Sequence, residues 1–192
     1  EGDSGDKVNL DTNFTVTVSA GSASAAHLNA INDATTSLVT ATDVTNITGT
    51  AATIKTLIDN EGNAGDKVNL DGNFTVTVSA GTAAAADLNA INSATSSLVT
   101  ATSVTTITGS ASDINTLVGN EGDNGDKVDL AANVAITIGS GSASAAHLNT
   151  INTKTTGLVT ATAVTALTGT AASINTLVGN EGDSGDKVNL DT

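Results

Sequence analysis

Carboxylates gather in four glycine-rich stretches of this chain. EGDSGDKVNLD holds Glu1, Asp3, Asp6 and Asp11, and EGNAGDKVNLD holds Glu61, Asp66 and Asp71. EGDNGDKVDL holds Glu121, Asp123, Asp126 and Asp129, and the last stretch holds Glu181, Asp183, Asp186 and Asp191. Most of the 20 acidic residues stand there. Calcium takes six to eight oxygens from carboxylates and carbonyls, and a glycine turn exposes its carbonyls. The chemistry these stretches could do is therefore cation binding. The candidate calcium ligands are Asp3, Asp6, Asp11, Asp66, Asp71, Asp123, Asp126, Asp129, Asp183 and Asp186. Several features favour a plain solvated turn instead. Each stretch carries a lysine (Lys7, Lys67, Lys127, Lys187), and Asp3 is replaced by Asn63 in the second copy. DNEGNAGD, from Asp59 to Asp66, echoes an EF-hand loop with its glycine misplaced, and Asp59 becomes Gly119 and Gly179. No cofactor is required by these residues; calcium is the one the pattern allows.

The other reactive residue types argue against catalysis. His27 and His147 share one repeat position, at which Asp87 stands in the second copy. A catalytic group would not be exchanged in that way. No Gly-x-Ser-x-Gly elbow precedes a helix, and no glycine loop leads into Lys-Ser/Thr as a phosphate cradle does. Thr40-Ala-Thr42, Thr100-Ala-Thr102 and Thr160-Ala-Thr162 are identical. Within a strand such threonines would point the same way, about 6.7 Å apart, and an array of them could match ice. The half-repeat, however, places Asn69 and Asp71 where the next rung should stand, which breaks the array. We read these threonines as an outward strand face.

The net charge is −14, with six lysines and no arginine among the 192 residues. Nucleic-acid binding needs cationic side chains in numbers, so it is not expected. Neither is membrane insertion, since no apolar run approaches about 20 residues. There are no cysteines, and the aromatics are Phe14 and Phe74 alone. Val, Ile, Leu and Ala suit thin stacked layers better than a large irregular core.

The elements that must position these residues are set by a repeat. EGDSGDKVNL at Glu1 returns at Glu61, Glu121 and Glu181, a period of 60 residues, with more than half the positions identical in the three full copies. The units are 1–60, 61–120, 121–180 and a partial 181–192, read as one array. EGDSGDKVNLDT both opens and closes the chain, as a window from a longer periodic array would. Each unit contains a fainter half-repeat, SAAHLNAIN against TAATIKTLIDN. Ser24 and Thr50 suit helix N-caps. Leu28 and Ile31 lay an apolar stripe on one helix face, and Asn32 and Asn60 are placed to end the helices in left-handed geometry. SLVTATDVTNITG and DKVNLDGNFTVTVS read as strand pieces. In them Phe14, Val16 and Val18, Val39 and Ala41, and Val68 and Leu70 alternate with polar residues. Gly21, Gly49 and the glycines of the acidic stretches mark corners. The expected fold is a β-solenoid, parallel β-helix-like, with one short α-helix per coil and two coils per 60-residue unit, of about 26 and 34 residues. About six coils rising about 4.8 Å each would stand roughly 30 Å tall.

The runs SAAHLNAIN, AADLNAINSATSSLVTATSVTTITGSASDINTLV and TGLVTATAVTALTGTAASINTLV carry a resemblance. They resemble tandem-repeat tracts of giant secreted bacterial, including cyanobacterial, surface proteins. Such tracts alternate an AADLNxL-type helix with a VxxSxVTxLTG-type strand segment. The resemblance covers nearly the whole chain and implies likeness to adhesins, sheath components and haemolysin-type calcium-binding repeat proteins. The EGDSGDK stretch departs from the glycine-aspartate nonapeptide of the last group. The resemblance implies a non-enzymatic structural protein at the cell surface or outside the cell, part of a filament, sheath or giant surface protein. Its partner would be itself. A calcium-rigidified adhesin stalk is the alternative, and an ice-binding solenoid a remote one.

Overall fold

The computed structural model describes residues 10–190. The chain enters through β1 (Val16–Thr17), β2 (Gly21–Ser24) and α1 (Ala25–Ala34), followed by β3 (Val39–Ala41), β4 (Val44–Gly49) and α2 (Ala51–Asp59). The second unit repeats this as β5 (Val68–Leu70), β6 (Thr75–Val78), β7 (Gly81–Ala84), α3 (Ala85–Ala94), β8 (Val99–Ala101), β9 (Val104–Gly109) and α4 (Ala111–Gly119). The third gives β10 (Val128–Leu130), β11 (Ala135–Ile138), β12 (Gly141–Ser144), α5 (Ala145–Asn152), β13 (Val159–Thr160), β14 (Val164–Thr168) and α6 (Ala171–Gly179). β15 (Val188–Asn189) is the last element. The fold is α/β, with parallel strands in several sheets and six helices among the described residues.

Every strand pair is parallel and joins segments distant in sequence. One ladder runs β2-β4-β6-β8-β10 and another β7-β9-β11-β13-β15. Partners Ala23 and Ile47 stand 24 residues apart, Ile47 and Val76 29, Val76 and Val99 23, and Val99 and Val128 29. Two steps of a ladder thus fall short of the 60-residue unit. The difference is absorbed by an extra strand: three strands precede α3 and α5, and two precede α2, α4 and α6. Each unit therefore opens a new ladder beside the old one. Meanwhile the helices pack in strict order, each on the next from α1 to α6.

The expected strand pieces are each broken in two. SLVTATDVTNITG turns at Thr42 and Asp43 between β3 and β4, and DKVNLDGNFTVTVS turns at Gly72 and Asn73 between β5 and β6. The parity of burial is kept across the second turn, where Val68, Leu70, Phe74, Val76 and Val78 are all buried, and changes across the first. Val39 and Ala41 face inward before the break, and Val44 and Ile47, three apart, face inward after it. An irregularity in the β2–β4 register sets Gly21 opposite Val44 and Ser22 opposite Asn46, leaving Thr45 as the extra residue of a bulge. Thr45 Oγ1 donates to Gly21 O at 3.3 Å, and Thr105 and Thr165 repeat the bond to Gly81 and Gly141.

Helix starts divide into two kinds. Thr50, Ser110 and Thr170 accept from the backbone N–H three residues on, at 3.2, 3.1 and 3.2 Å, as N-caps do. Ser24 makes no such bond, and its equivalent in the second unit is Ala84. Residue 24 ends a strand, so its backbone is already fixed by the ladder and the cap is dispensable. The helix ends also differ from expectation. Asn32 lies buried inside α1, and Asn60 has φ −91°, not a left-handed value. Its N–H closes the last turn onto Thr56 O and Leu57 O, at 3.2 and 3.1 Å. Among the described residues the left-handed geometry falls to glycine alone, as at Gly65 with φ +72°.

One apolar core runs through the described residues between the inward strand faces and the helix row. Val39, Ile47, Val76, Val99 and Val128 supply one side; Leu28, Ile54, Leu57, Leu88 and Leu117 supply the other, all nearly inaccessible to solvent. Leu88→Ala should cost about 2–5 kcal/mol, through lost transfer energy and the cavity left behind. Chemical denaturation followed by far-UV circular dichroism measures it; a change under about 1 kcal/mol would place Leu88 outside a close-packed interior.

Candidate functional site

The acidic turns begin where a capped helix ends. After α2 the chain leaves at Asn60 and returns at Val68, and the two ends are bonded together. Val68 N–H donates to Asn60 O at 3.0 Å, and Gly62 N–H to Val68 O at 3.1 Å. Inside the loop Lys67 N–H donates to Gly65 O at 2.9 Å. The same bonds recur around 120–128 and 180–188. The lysine stem lies on the glycine: a Cβ at Gly62, Gly122 or Gly182 would meet Lys67, Lys127 or Lys187 Cγ at 3.0–3.1 Å. The acidic stretch is thus a closed excursion, not a corner of the strand path.

Its carboxylates point to water. Asp66, Asp123, Asp126, Asp183 and Asp186 are exposed. Asp11 and Asp71 are exposed outside the loops, ahead of the turns that lead to β1 and β6, and Asp129 is half-buried within β10. Asp3 and Asp6 lie outside the described residues, as do Glu1 and Asp191. Among the described residues no group of three or more Asp, Glu or His is placed to hold a metal ion. Asp123 Oδ1 accepts from the neighbouring Asn124 amide at 2.9 Å. Asp59, the first residue of the EF-hand echo, belongs to α2. It accepts from Lys55 Nζ at 2.6 Å, one turn back in the same helix.

The histidines stand apart, His27 exposed on α1 and His147 half-buried on α5. Thr40 and Thr42 do not share a strand face, because Thr42 lies in the turn after β3. Thr40 pairs with Asn69, as the half-repeat indicates, while Asp71 falls beyond β5 and outside the ladder. A hydroxyl row does exist elsewhere: Ser24, Thr48, Thr77 and Thr100 succeed one another in register, ending at Asp129. Its members are partly spent on the structure itself. Thr48 Oγ1 donates to Ala23 O at 3.4 Å, and Thr77 Oγ1 to Asn46 Oδ1 at 3.3 Å.

Two invariant polar positions do structural chemistry that the sequence alone did not single out. Thr35, Thr95 and Thr155 are buried just after α1, α3 and α5. Thr155 Oγ1 donates to Val134 O at 2.6 Å and accepts from Gly157 N–H at 2.9 Å. Thr95 does the same with Phe74 and Ser97. This hydroxyl locks the exit of each helix onto the strand entry about twenty residues earlier. Asn29, Asn89 and Asn149 tie helix to helix: their Nδ2 groups donate to Thr53, Asp113 and Ser173 O at 2.9–3.0 Å, 24 residues ahead. The available signal was identity at positions 35 and 29 of every unit.

Compared with family models, curated proteins and solved structures, the chain matches none. No described helix is long and apolar enough to cross a membrane. The polar side chains that recur in every unit are distributed along the stack and bonded across its steps. Thr95→Val should cost about 1–3 kcal/mol, because two buried backbone groups lose their partner. Thr95→Ser should restore most of it. Thermal melts of both variants check this; equal melting temperatures would show the hydroxyl to be idle.

Proposed function

We propose that this is a structural repeat protein of a bacterial extracellular filament, sheath or giant surface protein. It winds as a β-solenoid with one short α-helix per coil and works by stacking coils and by self-association. No residue transforms a substrate in this reading. One observation carries it: the same backbone pairing recurs at every step, from Val16 with Val39 to Val159 with Val188. The recurrent Thr side chains serve that pairing, and the recurrent Asn side chains tie the helices behind it. The likeness of its helix and strand runs to the repeat tracts of secreted surface proteins supports the location at the cell surface or beyond. In this setting the acidic turns are a charged fringe that keeps the stacks soluble and apart.

Electron microscopy of the concentrated protein tests the reading: filaments with an axial spacing that is a multiple of the strand rise are expected, and uniformly single particles would refute it. Salt separates the fringe from a calcium-stiffened stalk. A screened fringe lets sodium, magnesium and calcium at equal ionic strength promote assembly alike. A rise in melting temperature peculiar to calcium, reversed by chelator, would instead favour the stalk.

A further inference from the structure

The contact between units leaves two faces that fit each other. At one edge of the described stack an open groove of about 530 Å³ is lined by Phe14, Val16, Ile31 and Leu10, the last 45% exposed. Sixty residues on, Phe74, Val76 and Ile91 are sealed inside the core. Their cover is the α2 and β4 face of the preceding unit. β4 pairs through Asn46–Gly49 with Thr75–Val78 of β6, α2 packs on α3, and Ile58 adjoins the same small cavity as Phe74. At the opposite edge stands the counterpart of that covering face. Val178, equivalent to Ile58, is 60% exposed, whereas Val118 at the same position of the second unit is 3% exposed. Leu167 and Ile174 are only partly covered, while Ile107 and Ile114 are buried.

We infer that these two faces bind a second copy of this chain head to tail, in the register already used between units. The proposal rests on the self-association reading above and specifies its joint. Ala166–Gly169 of one copy pairs in parallel with Thr15–Val18 of the next, as Thr106–Gly109 pairs with Ala135–Ile138. α6 packs on α1 as α4 packs on α5, and Val178 seats against Phe14. The two faces are different surfaces, so the contact is heterologous and does not close on itself.

Two substitutions, each blocking one face, test this in the full chain: Val178→Glu and Phe14→Glu. Analytical ultracentrifugation over a concentration series should show the unaltered protein growing into chains and each variant remaining monomeric. An equimolar mixture of the variants keeps one good face of each kind, so it should stop at dimers. That dimer also shows that both variants are folded. If both variants grow as the unaltered protein does, copies associate through another surface; the joint falls while self-association stands. If Val178→Glu is monomeric but Phe14→Glu alone forms dimers, the contact is between like faces and the joint falls. An unaltered protein that is monomeric throughout removes both the joint and self-association.

Discussion

Parallel backbone pairing between segments 23 to 29 residues apart is the constraint on which everything else in this protein depends. No described strand is longer than six residues and no described helix longer than ten. Helices of that length are marginal alone, and so short a strand has no apolar face large enough to hold it in place. Each element is stabilised by the elements before and after it in the stack, and the core is a continuous seam, not a central mass. Composition reflects this geometry. Proline is absent, and in a ladder it would remove a donor. Bulky aromatics are almost absent because the layer between strands and helices is thin. Threonine is frequent because it is β-branched and its hydroxyl can reach a carbonyl one step away.

Much of this was legible in the sequence, and the parts that were not have a common cause. The period, both helices of each unit and the inward orientation of Val39, Ala41, Val68 and Leu70 are written in identity and alternation, which are local signals. The break at Gly72–Asn73 was hidden because the inward alternation keeps its phase from Leu70 to Phe74, and the break at Thr42–Asp43 because the Thr-Ala-Thr alternation reads straight into the turn. The bulge at Thr45 is visible only against its partner strand. Asn32 reads as a helix stop by its own preferences, yet it is buried by neighbouring turns. Thr35 and Asn29 act on residues about twenty positions away, so their roles emerge only once those segments are neighbours.

The candidate cation site shows the same limit. Counting carboxylates in a glycine-rich stretch gives the number of oxygens and not their directions. The loop between Asn60 and Val68 is closed by its own backbone bonds and by the lysine stem over Gly62, and its carboxylates splay outward. Repetition multiplies such a loop without gathering it, since equivalent loops recur only every second step. The polar chemistry of the chain is thereby divided: buried hydroxyls and amides join steps, while charge is held at the fringe.

The sideways slide of the ladders has a mechanical consequence. Because each unit opens a new ladder beside the last, no described sheet exceeds five strands. Rows of backbone bonds overlap like staggered bricks, with the helix row as the continuous member behind them. Parting one step from the next breaks two parallel strand pairs and one helix contact wherever the cut falls between two helices: β3–β5 and β4–β6 with α2 on α3, then β6–β8 and β7–β9 with α3 on α4. The slide thus moves the masonry sideways and leaves every course tied to the next by the same number of backbone seams.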